Sequence, residues 1–177
     1  MSTAVANDRL VKRFEKWDID GNGVLEPSDF RGEAARIVQN LGKDAGSPEA
    51  HSLAAAFQGL YEHLAHRAGV PAGSSITQEQ FLAATGTLLF QEGEASFQRA
   101  LAPVVDALIE LCDDNHDGQI DEREFKAWLT AVGAPTSQVG EAFRKVDANG
   151  DGVLSRDELL NVVRDFHFGG LQVELLG

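Results

Sequence analysis

The chain has 177 residues, of which 43% are hydrophobic, and a formal net charge of −13, which suits one domain or two small ones around a packed core. The negative charge would repel phosphate groups, so we expect cations as ligands and no nucleic-acid partner. The sequence has neither the apolar run of a signal peptide nor a stretch of about 18 apolar residues, so we expect a cytoplasmic protein without membrane contact.

The first predicted element is a helix that leads into an acidic loop at residues 18–29. Phe14 and Trp17 precede this loop by four residues and one residue, the spacing of one apolar helix face. Oxygen-bearing residues recur at loop positions 1, 3, 5, 9 and 12. Because calcium takes about six to eight oxygen ligands, we predict a metal site. Its ligands would be the side chains of Asp18, Asp20, Asn22, Glu26 and Asp29 and the carbonyl of Val24.

The second unit keeps the register of the first but has lost its ligands. Ile76 and Phe81 reproduce the five-residue spacing of Leu25 and Phe30, which makes residues 69–80 the corresponding loop. Without a carboxylate at position 1, 3, 5 or 12, the cost of dehydrating calcium is not offset. We therefore predict a structural loop that binds no metal. The alternative is an ordinary connecting loop, which would leave the first loop unpaired.

The third and fourth loops, residues 113–124 and 147–158, match the full D-x-[DN]-x-[DN]-G-x5-E pattern of an EF-hand calcium loop. Apolar residues precede both at the spacing found before the first loop. Positions 1, 3, 5 and 12 would bind through side chains, position 7 through its carbonyl, and Asp121 at position 9 through a water. The predicted ligands are Asp113, Asn115, Asp117, Gln119, Asp121 and Glu124 in the third loop, and Asp147, Asn149, Asp151, Val153, Ser155 and Glu158 in the fourth.

Helix ends in the first half follow from capping residues. Ser47 as N-cap, followed by a proline, predicts a helix over residues 48–67. Residues 78–91 are predicted to form the next helix, and Gly93 should break the chain near its middle.

In the second half, Pro103 should kink or restart the helix that leads into the third loop. Residues 133–135, Gly-Ala-Pro, are predicted to form the turn between the last two units. We expect Thr136 or Ser137 to cap the helix that follows.

These units together predict an all-α fold, with four EF-hand helix-loop-helix units in two pairs that form one compact globule. The N-terminal pair would cover residues 1–92, with a binding first unit and a degenerate second unit. The C-terminal pair would cover residues 93–177, with two binding units and an apolar tail.

The whole chain resembles the calerythrin-like proteins, bacterial relatives of the sarcoplasmic calcium-binding proteins. The similarity lies in the three intact loops and in residues 13–18 (RFEKWD), 93–97 (GEASF), 165–169 (DFHFG) and 173–177 (VELLG). The resemblance implies a compact, all-helical fold that binds calcium at three sites.

The three predicted sites differ in kind. The first loop ends in Asp29 where the pattern asks for glutamate, and the shorter side chain reaches less easily to give both oxygens. We therefore expect Mg²⁺ to compete with Ca²⁺ at the first site. Eleven candidate carboxylates crowd the three loops and repel one another without metal, so we expect a loosely packed calcium-free protein.

A calcium buffer or transporter is the favoured function. Sensors expose a methionine-rich groove to their targets, whereas Met1 is the single methionine of this chain. We expect the apolar tail to fold back into a groove of its own chain and the protein to be a monomer. The alternative for the tail is a frayed terminus, because the glycines Gly169 and Gly170 permit many backbone conformations. The apolar tail residues are Phe168, Leu171, Val173, Leu175 and Leu176. The alternative is a calcium-dependent regulator, and the sequence leaves open whether a protein target exists.

Catalysis is not expected, because the sequence lacks a G-x-S-x-G elbow, a Walker loop, an H-E-x-x-H motif and a C-x-x-C pair. His63 and His66 could share one helix face, but solvated histidines are favoured over a zinc site. Cys112, the single cysteine, suits a small core residue.

Overall fold

In this computed structural model, residues 3–167 and Leu175 are described, and they are mostly helical. Two short strands interrupt the helices within the loop regions. The elements in chain order are α1 (Thr3–Trp17), β1 (Val24–Leu25), α2 (Pro27–Asn40), α3 (Pro48–Ala68), β2 (Ile76–Thr77), α4 (Gln78–Gly86), a π-helical segment (Thr87–Gln91), α5 (Glu94–Cys112), α6 (Glu122–Val132), α7 (Val139–Val146) and α8 (Arg156–His167). Within this part of the chain, no helix combines the length and the apolar character needed to cross a bilayer.

Helix α3 confirms the prediction from its capping residues. The Ser47 side chain accepts a hydrogen bond from the Ala50 amide at 3.1 Å, which satisfies one of the donors left free at a helix start. The helix ends one residue later than predicted, where Gly69 adopts φ +72°. A left-handed glycine at this place lets the chain leave the helix without steric cost.

The predicted helix over residues 78–91 is instead divided, because α4 ends at Gly86 and a π-helical segment follows. The hydroxyl groups of Thr85 and Thr87 donate to the carbonyls of Phe81 and Ala83, at 2.6 and 3.0 Å. Side chains that bind carbonyls of the preceding turn compete with the regular backbone ladder, which favours the wider π pattern here. Gly93, with φ +86°, separates this segment from α5.

In the second half, one of the two alternatives predicted at Pro103 does not hold, and the predicted cap of the next helix is wrong. Helix α5 does not restart at Pro103 but continues through it, because packing against α3 and α8 outweighs a proline cost of about 3 kcal/mol. Neither Thr136 nor Ser137 caps α7. The N-cap is Gln138, without a side-chain bond, because the Val139 amide turns back to the Thr136 carbonyl at 3.3 Å.

Short antiparallel contacts join the loops two by two. β1 pairs with β2, with Leu25 opposite Ile76, so the first acidic loop lies beside residues 69–80. Ile120 and Leu154 form an isolated bridge, with N···O distances of 3.0 and 2.7 Å. Each contact involves position 8 of its loops, which therefore lie side by side.

One hydrophobic core connects the two halves of the described chain. Helix α3 packs against α2, α4 and α5, and α5 packs in turn against α6 and α8. Around the first loop pair, aromatic rings form a continuous cluster with centroid distances of 5.4 to 6.2 Å. Its members are Phe14, Trp17, Phe30, Tyr61 and Phe81. The helices that hold both loop pairs are thus fixed to one another by apolar packing.

Cys112 and Leu175 occupy buried positions. The Cys112 side chain is 2% exposed, and burial raises the pKa of its thiol to about 12, so the thiol stays protonated and inert at neutral pH. Leu175 is 1% exposed, and its carbonyl accepts a hydrogen bond from the Trp128 indole at 2.8 Å. This point of the tail lies against α6. The other apolar tail residues, Phe168, Leu171, Val173 and Leu176, lie outside the described residues.

Candidate metal centres

The carboxylate at position 1 faces the inside of each acidic loop. In the first loop, the amides of Asn22 and Gly23 donate to Asp18 at 3.1 and 2.8 Å. The same bonds run from Asp117 and Gly118 to Asp113, at 3.2 and 2.8 Å, and from Asp151 and Gly152 to Asp147, at 3.2 and 3.0 Å. The backbone therefore wraps around this carboxylate in all three loops.

Positions 3 and 5 repeat the same side-chain turns in the three loops. The side-chain oxygen at position 3 accepts from the amide of position 5, at 3.1, 2.9 and 2.9 Å along the chain. The side-chain oxygen at position 5 accepts from the amide of position 7, at 3.0, 2.8 and 3.1 Å. The residues at positions 3 and 5 are Asp20 and Asn22, Asn115 and Asp117, and Asn149 and Asp151. These turns direct the oxygens at positions 1, 3 and 5 toward a common interior.

The carboxylate at position 12 reaches back across each loop. One Glu124 oxygen accepts from the Asp114 amide at 3.0 Å, and the other accepts from the Asp121 amide at 2.9 Å. Equivalent bonds join Asp29 to Ile19 and Glu26, at 3.1 and 2.8 Å, and Glu158 to Ala148 and Ser155, at 3.1 and 2.9 Å. Asp29 and Glu124 are 3% and 1% exposed, and a buried carboxylate calls for a cation or several donors.

Positive backbone angles close the loops at positions 4 and 6. Gly23, Gly118 and Gly152 at position 6 have φ between +77° and +87°, where an L side chain would be strained. Position 4 also has positive φ, and in the third loop it is occupied by His116, the one non-glycine residue with positive φ in the described ranges. Its side chain is exposed.

The densest carboxylate cluster lies in the first loop. Oxygens of Asp18, Asp20 and Asp29 all lie within 4.8 Å of one another, which holds for no other trio of acidic, histidine or cysteine groups in residues 3–167 and Leu175. The cluster includes position 3, which is aspartate here and asparagine in the other two loops, where position 5 carries the aspartate instead. Burial, together with the charges of Asp20 and Asp18, raises the pKa of Asp29. A divalent cation among these oxygens would offset both causes, because a positive charge stabilises the ionised carboxylates.

Residues 69–80 form hydrogen bonds like those of an acidic loop, but with neutral side chains in place of the carboxylates. The side chain of Gln80 accepts from the Thr77 amide at 2.9 Å, and the Thr77 hydroxyl accepts from the Gln80 amide at 3.2 Å. These bonds repeat the contact between positions 9 and 12 of the acidic loops. The Tyr61 hydroxyl donates to the Ser74 carbonyl, which engages a loop carbonyl from the core side. The remaining candidate ion-facing positions carry Gly69, Pro71 and Gly73, so no carboxylate faces this interior.

Two basic residues at the loop margins were not identified from the sequence. Lys43, in the connection after α2, lies 2.7 Å from Asp114 of the third loop, and this contact lowers the pKa of Asp114. Arg156 of the fourth loop pairs with Asp106 on α5, with one N···O distance of 3.2 Å. The partners are 71 and 50 residues apart, so no local signal could reveal them.

In the histidine pair on α3, one nitrogen that a metal would need already accepts a hydrogen bond. Nε2 of His63 accepts a hydrogen bond from the Arg67 side chain at 3.0 Å. Burial and the neighbouring Arg67 charge lower the pKa of His63. Arg67 in turn forms a bidentate pair with Glu92. A cation would have to displace the guanidinium from His63, which disfavours the zinc alternative.

Comparison with known proteins agrees with this geometry. Residues 108–164 match the family model of an EF-hand domain pair. Calerythrin from Saccharopolyspora erythraea is 56% identical over 177 residues, with full coverage of both chains.

Two solved structures are similar along most of the chain. The Streptomyces coelicolor calcium-binding protein has a TM-score of 0.74 and 26% identity and covers 94% of this chain and 99% of its own. Magnesium-loaded apo-berovin, a ctenophore photoprotein, has a TM-score of 0.70 and 25% identity, with 91% and 87% coverage. Together with the loop geometry and the full-length identity to calerythrin, these similarities show that the chain belongs to the calerythrin family of EF-hand calcium-binding proteins.

Proposed function

We propose that this calcium-binding protein is an intracellular calcium buffer or transporter with three sites, in the first, third and fourth loops. The observation that carries this proposal is the repeated hydrogen-bond scheme. Positions 1, 3, 5 and 12 make the same bonds in all three loops. The same backbone hydrogen bonds around similar sets of oxygens support metal binding in all three loops. No catalytic role is part of the proposal.

The ligand sets are those predicted from the sequence, with the second loop binding none. We assign four helix-loop-helix units in two pairs, residues 1–92 and 93–177. The strand contact between Leu25 and Ile76 and the bridge between Ile120 and Leu154 support this pairing. The second unit then serves as the structural partner of the first.

Magnesium is proposed as a competitor at the first site. Mg²⁺ demands compact octahedral coordination at about 2.0 to 2.1 Å, and the three clustered carboxylates include the short side chain of Asp29. Berovin shows that loops of this fold accept magnesium, because all three of its calcium loops bind it. Glu124 and Glu158 can offer both oxygens, which favours the larger calcium ion.

The surface of the described residues supports buffering over target binding. Val5 and Ile19 are its exposed large hydrophobic side chains, whereas a target groove would expose a contiguous apolar patch. Leu175 is seated against Trp128, so part of the tail covers the chain itself. These features support a closed protein without a vacant groove.

Calorimetric calcium titration with and without millimolar magnesium tests the proposal. We expect three calcium ions per chain, one of them suppressed by magnesium. Fewer than three ions without magnesium, or equal suppression of all sites, would contradict the assignment.

The second candidate is a calcium-dependent regulator, favoured by the similarity to the Streptomyces coelicolor protein of prokaryotic calcium-mediated regulation. Retention on a hydrophobic resin in calcium but not in EDTA would favour this candidate.

A further inference from the structure

The C-terminal end of α6 is capped partly by the turn that follows the helix. A helix leaves its last four carbonyls without intrahelical partners. The carbonyls of Leu129 and Thr130 accept from the amides of Ala134 and Gly133, at 2.8 and 3.2 Å, in the arrangement of a Schellman motif. Two carbonyls of α6 remain for other partners.

Those two carbonyls are capped by side chains of α2. Asn40 Nδ2 donates to the Ala131 carbonyl at 3.0 Å, and Arg36 Nη2 donates to the Val132 carbonyl at 3.4 Å. A cation at a helix C-terminus also complements the helix dipole. We call Arg36, Asn40 and the two carbonyls the α2–α6 clamp. With these two bonds, each of the last four carbonyls of α6 accepts a hydrogen bond, and two of the donors come from the first half of the chain.

Neighbouring residues hold Arg36 in place. Its guanidinium forms two bonds with Glu33, at 2.9 and 2.6 Å, and Glu33 is 2% exposed. A Cβ atom on Gly133 would lie 3.2 Å from Arg36 Nη1, so the glycine leaves just enough room for the guanidinium. The clamp lies at the surface, with Asn40 exposed and Arg36 half-buried, and Glu33 orients the guanidinium toward α6.

Each clamped helix also carries the last ligand position of a proposed calcium loop. Asp29 lies in the first turn of α2, and Glu124 lies in the first turn of α6. The helices have 14 and 11 residues, or lengths of about 21 and 16 Å. Because a helix is stiff over this length, a tilt at its loop end displaces its clamped end.

The clamp is formed while both loops are closed. The carboxylates of Asp29 and Glu124 point into their loops, toward the amides of Ile19 and Asp114. The helix orientation that closes one loop is thus the orientation in which the clamp is made. If the clamp favours the closed orientation of both helices, closure of one loop favours closure of the other. This coupling is the same in both directions.

We infer that Arg36 and Asn40 are positioning residues that couple the first and third calcium sites, so that calcium at either site raises the affinity of the other. The inference rests on the proposed function of these two loops. Neither residue touches the metal, and both act through the orientation of α2 and α6.

The test is a cycle of four proteins in a Trp128→Phe background, in which Trp17 reports the first site. Trp17 directly precedes the first loop, and its ring centroid lies 5.4 Å from that of Phe30. The proteins are the parent, Glu124→Gln, the clamp variant Arg36→Met/Asn40→Ala, and their combination. Glu124→Gln should weaken first-site calcium affinity by roughly fivefold or more when the clamp is intact, and by less than about twofold when it is removed.

Gln39→Ala is the matched control, because it removes an exposed amide next to Asn40 on the same helix. It should leave the effect of Glu124→Gln unchanged. Far-UV circular dichroism in calcium checks the fold of each variant. If Arg36→Met fails to fold, Asn40→Ala alone should still reduce the effect.

An equal effect of Glu124→Gln with and without the clamp would overturn the inference while leaving the three sites intact. Absence of calcium binding by the parent at the first or third loop would instead overturn the proposed function. The parent titration therefore separates the two failures.

Discussion

Asp29→Asn offers the sharpest test of the first site, because Asp29 has two roles that the substitution separates. In one role it is a proposed metal ligand within 4.8 Å of Asp18 and Asp20. In the other it belongs to the capping box of α2 with Glu26. Loss of a ligand would appear only in calcium, whereas loss of a cap would appear in every condition.

The expected magnitudes follow from the geometry. At 4.8 Å, each pair of like charges costs about 3 kcal/mol at an effective dielectric constant of 20. Asparagine removes this repulsion but can accept only one of the bonds from Ile19 and Glu26 with its single oxygen, a loss of about 1 to 3 kcal/mol. In EDTA the stability should therefore stay equal or rise. In calcium, loss of a buried charged partner should weaken the first site by about 3 to 5 kcal/mol, or roughly two to four decades in affinity.

Urea unfolding in EDTA and in calcium, followed by far-UV circular dichroism, measures both effects, and calorimetry gives the number of ions bound. Asp157→Asn is the matched control, because it removes the same charge from a side chain that is 89% exposed. An equal loss of stability in both media would refute the ligand role and leave Asp29 as a helix cap alone.

Three further outcomes are expected. Burial first, and then the Arg13 charge, lowers the pKa of His167 to about 3. His167 thus stays neutral in the fold, and stability is lost as the pH falls from about 6.5 toward 3, by at most about 1.4 kcal/mol per pH unit. In acid unfolding experiments, His167→Gln should make the stability depend less on pH over this range. An unchanged pH dependence would contradict the lowered pKa of His167. Tyr61→Phe should cost about 1 kcal/mol through the lost bond to Ser74 without changing the calcium stoichiometry, and a lost ion would argue against a metal-free second loop. Leu175→Ala should cost about 2 to 5 kcal/mol in chemical unfolding and increase retention on a hydrophobic resin, and an unaltered stability would contradict its burial.

Local spacing determined the acidic loops and most helix ends of this protein. Each loop closes through bonds within twelve residues, so the oxygen-bearing side chains and the glycine positions could be recognised in the sequence. The same holds for the Ser47 cap and Gly69. Predictions failed where packing or competing local bonds prevailed, as for a helix restart at Pro103, at the π-helical segment and at the start of α7.

Only the tertiary structure decided how the loops are connected to one another. The pairs Lys43–Asp114, Asn40–Ala131 and Trp128–Leu175 join residues 47 to 91 positions apart, and no periodicity encodes such contacts. The burial of Asp29 and the convergence of its neighbours also depend on how α2 packs. The sequence by itself determined which oxygens could bind calcium, because ligand chemistry is local. The fold decided which loops lie side by side and which helices touch, because those contacts arise from the packing of distant segments.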